Sequence, residues 1–158
     1  MRLIELLAQE RVAIRHNAGG AQSIDKAAVI KQLAQMLASG GRVDVHEVER
    51  VLSEREQLQS TGIGEGVAIP HGALAQLQTQ YATLLIVPEG VEFVAIDGLA
   101  VTILFAVIGP KRATGEHLKT LARVSRLLRN KTFRDRLVSA ADAREAYDLI
   151  VAEEGERP

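Results

Sequence analysis

The longest apolar run of the chain, Leu99 to Gly109, carries no charged side chain and is rich in Val, Ile and Phe. It reads as a strand from Ala100 to Ile108 that is buried on both faces. It is far shorter than the roughly 20 residues that cross a bilayer, so no membrane insertion is expected. A strand covered on both faces needs a layer of structure on each side. The rest of the sequence supplies those layers as amphipathic helices.

Ser23 and Asp25 are positioned to cap a helix with the apolar stripe Val29/Ile30, Leu33 and Leu37, ended by Gly40-Gly41. Asp44 with Glu47 makes a capping box for a helix carrying Val48, Val51, Leu52 and Arg55. An extended segment follows from Val67 to Pro70. A second strand runs from Tyr81 to Val87, with Pro88-Glu89-Gly90 as the turn between the two long strands. A helix from about Thr114 to Arg129 aligns Leu118, Leu121, Val124/Ser125 and Leu128, with Asn130 as its C-cap. Thr132 with Asp135 opens a short helix. Asp142 with Glu145 opens the last, which buries Ala146, Leu149 and Ile150. Glu153 to Pro158 is expected to fray. The fold expected is α/β, a mixed sheet flanked by helices on both faces, in one domain spanning residues 1–158. Strand order does not follow from the pattern.

Composition narrows the chemistry. The formal net charge is -1, which argues against a general electrostatic grip on nucleic acid or an anionic membrane. The chain has no cysteine, so thiolate chemistry and disulfides are excluded. The N-terminal apolar cluster is broken by Glu5 and has no small-residue cleavage site after it. It is not a signal peptide, and a cytoplasmic location is expected. No pair among the four histidines has metal-ligand spacing, so neither a metal nor another cofactor is expected. Lys119, Arg123, Arg126 and Arg129 form a basic helix face, either solvated or docking an acidic partner.

The most unusual stretch is Ser60-Thr61-Gly62-Ile63-Gly64-Glu65-Gly66-Val67-Ala68-Ile69-Pro70-His71-Gly72. Three alternating glycines cost backbone entropy. They imply a bend through positive φ or a surface that a second backbone approaches closely. They are not a dinucleotide fingerprint, since Val67 stands where the third glycine belongs. Pro70 fixes its own φ and biases Ile69 toward extended geometry. Gly72 leaves little bulk beside His71. The outcome is either a plain turn histidine or an imidazole nucleophile at a rigid strand end, facing a partner across Gly62, Gly64, Gly66, Pro70 and Gly72. Histidine suits the second role because one ring nitrogen attacks while the other holds a hydrogen bond that fixes the tautomer.

Two further residues are candidates for the same site. Arg55 falls on the apolar stripe with Val48 and Leu52, while Glu54 and Glu56 point elsewhere. Such a guanidinium either meets an anion or snorkels near a helix C-terminus. With Thr114 as a cap, His117 falls at N3, where unpaired N–H groups and the helix dipole favour an anion. The alternative is a satisfied, half-buried histidine. His16 and His46 read as structural or exposed.

The run STGIGEGVAIPHG, with Arg55 in SEREQL before it, Asp97-Gly98 ahead of the apolar strand and His117 in GEHLKTLARVSRLL, resembles the enzyme IIA proteins of the fructose–mannitol type in the phosphoenolpyruvate-dependent phosphotransferase system. The likeness extends to NKTFRDRLVSAADAREAYDLI and is strongest from about Asp44 to Ile150. VEFVAIDG and the AEEGERP ending look like the nitrogen-regulatory branch. No fused permease or enzyme IIB domain is expected.

That resemblance implies a phosphoryl carrier, with no small-molecule substrate of its own. A small histidine phosphocarrier would donate to His71, usually at Nε2, while Arg55 and His117 neutralise and hydrogen-bond the phosphoryl group. The recipient would be a regulatory target, or an enzyme IIB for fructose or mannitol uptake. A third outcome is a regulatory binding module that is not phosphorylated. Three residues depart from the family pattern: Glu65 where Asn is frequent, Ala73 where a cation is frequent, and Val94 where an acid is common.

Overall fold

The apolar run forms β6, Val101–Pro110, at the heart of a mixed sheet. The computed structural model describes residues 2–19, 23–41 and 43–155. On one side β6 pairs antiparallel with β5, Tyr81–Val91, which in turn pairs parallel with β1, Val12–Ile14. On the other side β6 meets two short parallel strands laid end to end, β3 (Val67–Ala68) and β4 (His71–Leu74). Ile69 and Pro70 separate them, and the Pro70 carbonyl still accepts the Val107 N–H at 3.0 Å. Finally β2, Gly62–Gly64, folds back antiparallel on β3.

Alternate residues of β6 enter two separate cores. Ile103, Phe105 and Val107 face one layer. It comprises the single turn α1 (Leu3–Leu6), α4 (Thr114–Leu127), α5 (Lys131–Val138) and α6 (Ala143–Gly155). Leu104, Ala106 and Ile108 face α2 (Lys26–Gly41) and α3 (Val45–Leu58). The expectation of a doubly covered strand in a mixed, helix-flanked sheet is therefore met. The caps follow the sequence: Asp25 accepts the Ala28 N–H at 2.8 Å, and Asp44 accepts the His46 N–H at 2.7 Å. Only half of the expected box at Asp44 is used, because Glu47 instead pairs with Arg50 at 2.8 Å.

Four local expectations are corrected. Pro88-Glu89-Gly90 is not the turn between the long strands. β5 continues through it to Val91, with a register shift after Ile86 and Gly90 at φ 85°. The shift absorbs the proline and the glycine as an irregularity, and the chain reverses in the 92–100 loop. Asn130 is not a C-cap: its side chain accepts the Phe133 N–H at 3.1 Å and opens α5 ahead of Thr132. Leu118 lies outside the inward face of α4 and is 61% exposed, while Thr120, Val124 and Leu127 are buried.

The fourth correction concerns the C-terminal tail. α6 continues to Gly155, and buried Glu154 accepts the Leu3 and Ile4 N–H groups at 2.6 and 3.0 Å; residues 156–158 lie outside the described residues. Glu154 therefore ties the last helix to the first turn. Removing the acceptor orphans two N–H groups, and leaving a buried donor unpaired costs about 1–3 kcal/mol. Glu154→Ala is expected to lower unfolding free energy by about that much in urea titration, and Glu154→Gln, which keeps one acceptor oxygen, by less.

Candidate functional site

β4 lies at the sheet edge, so the first residue of that strand sits where the two helix layers meet. His71 opens β4 opposite Val107. Gly72, the next residue, has its α-carbon against α3: a Cβ there would stand 2.8 Å from Val51 Cγ2. The missing side chain thus permits strand–helix packing inside the chain and leaves His71 to the opposite face. Three sequence candidates converge here. α3 brings Arg55 from its last turn, and α4 brings His117 from its first. The His71 and His117 rings are 5.6 Å apart between centroids, tilted by 54°.

Hydrogen bonds fix which nitrogen of His71 is available. Nδ1 lies 2.8 Å from the Ile69 carbonyl oxygen, which can only accept, so Nδ1 carries the proton. Nε2 is then the lone-pair nitrogen. Arg55 Nε–H donates to it at 3.2 Å, and Arg55 Nη1–H donates to the Gln59 carbonyl at 2.7 Å. Pro70, between Ile69 and His71, holds the short turn that lets the carbonyl reach back. Burial lowers the His71 pKa from the ordinary 6.5, and the Arg55 charge adds to this against the opposing pull of the Ile69 carbonyl. Burial, then the neighbouring His71, lowers the His117 pKa as well.

Both imidazoles are therefore neutral at pH 7, and an NMR titration is expected to place both midpoints below 6.5. The linkage has a definite sign. The unfolded chain, with histidines near 6.5, takes up protons first as pH falls. This contribution to stability is complete above about pH 6.5 and is lost as pH falls from there through the folded-state values.

His117 differs from its expected placement. Ala113 is the N-cap, no side chain caps the helix, and the His117 N–H already donates to the Ala113 carbonyl at 3.0 Å. It sits one position past N3 and offers its ring rather than a free backbone donor. Its Nδ1 is buried without a protein partner beside Gly109, where a Cβ would approach Nδ1 at 3.3 Å and Gln80 Cγ at 3.0 Å. Any added bulk at position 109 would press on the His117 ring from behind.

The glycine-rich run is a hairpin, β2 to β3, turning through Gly64, Glu65 and Gly66 at φ 98°, 59° and 79°. The positive φ values explain the flanking glycines; Glu65 accepts the left-handed region at some cost. Gly62, Gly64 and Pro70 are buried, so within this run it is Ile63 and Glu65 that present side chains outward. Asp97 ties the turn to the 92–100 loop by accepting the Glu65 and Leu99 N–H groups at 2.9 and 3.1 Å. The Glu65 carboxylate meets Arg134 at 3.3 Å, so its charge is matched close by. Val94 takes φ 51°, an uncommon value for a β-branched residue, and projects into solvent at 71% exposure.

An open cleft of about 400 Å³ contains His71 and Arg55, floored by Ile69, Leu121 and Ser125 and rimmed by Ile63 and Ile96. Exposed apolar side chains flank it in sequence: Leu58 beyond Arg55, Leu99 in the same loop as Ile96, and Leu118 beside His117. Sequence reasoning missed the rim of Ile63 and Ile96, because single exposed apolar residues carry no signal until the fold places them. It also misplaced Glu56, which is buried, 8% exposed, on the stripe of Val48 and Leu52. Among the described residues no three His, Cys, Asp or Glu side chains are grouped to hold a metal ion, and no helix is long and apolar enough to cross a membrane.

Comparison with known proteins places this geometry in a family. The model for "Phosphoenolpyruvate-dependent sugar phosphotransferase system, EIIA 2" matches residues 12–153. The nitrogen regulatory protein of Pseudomonas aeruginosa is 37% identical over 127 residues, 80% of this chain and 82% of that protein. The crystal structure of nitrogen regulatory protein IIA-Ntr from Neisseria meningitidis superposes with a TM-score of 0.82 at 29% identity, covering 92% of this chain and 97% of the other. Mannitol IIA from Escherichia coli shares the fold, with a TM-score of 0.72 at 21% identity over 90% of this chain and 97% of the other. With a match across nearly the whole described chain, the protein belongs to the type 2 EIIA family of the phosphoenolpyruvate-dependent sugar phosphotransferase system.

Proposed function

We propose that this protein is a phosphoryl carrier that receives a phosphoryl group on His71 Nε2 from a histidine phosphocarrier and acts as a nitrogen-regulatory enzyme IIA. The observation that carries the reading is the lock on Nδ1. With its proton held by the Ile69 carbonyl, only Nε2 offers a lone pair to the cleft. A donor phosphohistidine docks on the apolar rim, and Nε2 attacks phosphorus in line. An N–P bond forms at His71 as the donor N–P bond breaks, and the donor imidazole leaves with the electron pair. The His71 ring becomes cationic, which strengthens its hydrogen bond to Ile69.

Phosphoryl transfer asks for positioning and charge stabilisation rather than covalent help. Arg55 already touches Nε2, so a small shift moves its guanidinium onto the phosphoryl oxygens. His117 sits near enough to donate from Nε2, since its Nδ1 is turned toward Gly109. Bonds of one kind are exchanged, so the transfer is close to balanced and the group remains transferable.

Two features support regulation as the output. The greater identity is to a nitrogen regulatory protein, and the cleft is rimmed by exposed apolar residues suited to protein contact. The phosphoryl group carries about two negative charges into the middle of that rim, only partly offset by the cationic ring, enough to exchange one partner for another. The test is incubation with phosphoenolpyruvate, enzyme I and the cognate phosphocarrier, followed by binding of each form to partners retained from cell extract. One acid-labile phosphoryl group, and partners that differ between the two forms, are expected. Onward transfer to an enzyme IIB instead would assign the protein to fructose or mannitol uptake. No uptake of phosphoryl from a charged donor would leave a binding module.

A further inference from the structure

Glu56 follows Arg55 directly, yet its carboxylate turns into the protein. A buried carboxylate is costly unless paired and hydrogen-bonded, and this one is fully engaged. Its two oxygens accept the Thr61 N–H at 3.1 and 3.0 Å, and the Thr61 hydroxyl donates to it in a short hydrogen bond. Lys26, in the first turn of α2, closes the cluster at 2.7 Å and also donates to the Phe93 carbonyl at 3.1 Å. Ser60 holds the same carbonyl at 2.9 Å. The short link after α3 is thereby fixed to two other elements.

Both reactive groups are held through that link by hydrogen bonds. The Thr61 carbonyl accepts the Ile69 N–H at 3.0 Å, and the Ile69 carbonyl accepts His71 Nδ1–H at 2.8 Å. Two residues before Thr61, the Gln59 carbonyl holds Arg55 Nη1 at 2.7 Å. One continuous path of hydrogen bonds thus runs from Lys26 through Glu56, Thr61 and Ile69 to the His71 proton. A branch from the same link seats the guanidinium.

We propose that Glu56, clamped by Lys26 and Thr61, is a positioning residue that sets the tautomer and aim of His71 and the seat of Arg55. The importance for phosphoryl transfer rests on the carrier reading above; the control of the tautomer does not. Glu56 touches neither donor nor phosphoryl group. It acts by holding the Thr61 carbonyl where Ile69 needs it. Partners that orient metal ligands in this indirect way change affinity or activity by about 10- to 100-fold when altered, and a misplacement of about 1 Å caused far from the chemistry slows a reaction by about 10²-fold.

The test compares Glu56→Gln and Thr61→Val with the wild type and with Glu54→Gln, an exposed neighbour on α3 that faces Arg50. Nitrogen-15 spectra of His71 read the tautomer without any phosphoryl donor. Wild type and Glu54→Gln are expected to show the Nδ1–H form alone. Glu56→Gln and Thr61→Val are expected to show mixed tautomers and a 10- to 100-fold lower maximal transfer rate, with the KM for the phosphocarrier unchanged because the docking rim is intact. A folded variant of either kind with the wild-type tautomer and rate overturns the proposal. If Glu56→Gln does not fold, Thr61→Val decides alone, since it is nearly isosteric and keeps the backbone N–H bonds. If wild type takes up no phosphoryl group, the carrier reading fails while the tautomer spectra still decide the clamp.

Discussion

His71→Ala is expected to abolish phosphoryl uptake completely while leaving the protein folded. Among the side chains lining the cleft, His71 is the one imidazole, and its Nε2 lone pair faces Arg55. The remaining ring, His117, has its Nδ1 turned away against Gly109 and Gln80. On the carrier reading it stabilises charge rather than accepting the group, so its loss should slow transfer without preventing it. His117→Ala thus serves as the contrast. Intact mass after exposure to charged phosphocarrier distinguishes them: no added phosphoryl in His71→Ala, and one added slowly in His117→Ala. The fold should survive the His71 change because His71 is half-buried on an edge strand, outside both apolar cores.

Arg55→Met comes second in expected size, with transfer slowed by about 10²–10³-fold. Removing one preorganised donor from developing charge has that effect in other enzymes, and here the donor is a full cation in a partly desolvated cleft. Methionine keeps the apolar stem against α3, so packing loss is limited. A second effect acts in the same direction and can be separated. The Arg55 charge helps to hold the His71 pKa down, so the variant should titrate higher and protonate more of its nucleophile near neutral pH. Rates measured at pH 8 remove this term, because His71 is neutral there in both proteins. A rate at pH 8 close to that of wild type would show that Arg55 tunes the imidazole without stabilising the transferred group.

The sequence made the central architecture legible where one physical signal dominated. An uncharged run with no polar face needs cover on both sides, and β6 has it. Arg55, His71 and His117 do come together, with Arg55 Nε 3.2 Å from His71 Nε2 and the two rings 5.6 Å apart between centroids, although helix phase misjudged Glu56, which is buried with Val48 and Leu52. What escaped detection depended on partners distant in the chain. Pro88 and Gly90 have turn composition, but a register shift against β6 keeps them within β5. Asn130 suits either end of a helix, and only the packing of α5 decides which. Glu56 looked solvent-facing because its counter-charge, Lys26, lies on another helix. Glu154 looked like part of a frayed tail because its partners are the N–H groups of Leu3 and Ile4 at the opposite end of the chain.

The most direct test of the account is the position of the phosphoryl group on the His71 ring. Phosphorus-31 and nitrogen-15 spectra of the freshly charged protein distinguish the two nitrogens. A single phosphohistidine at Nε2 of His71, with Nδ1 still protonated, is the predicted result. A phosphoryl group at Nδ1, or on any residue other than His71, would contradict it, because the Ile69 carbonyl would then not be what selects the nucleophile.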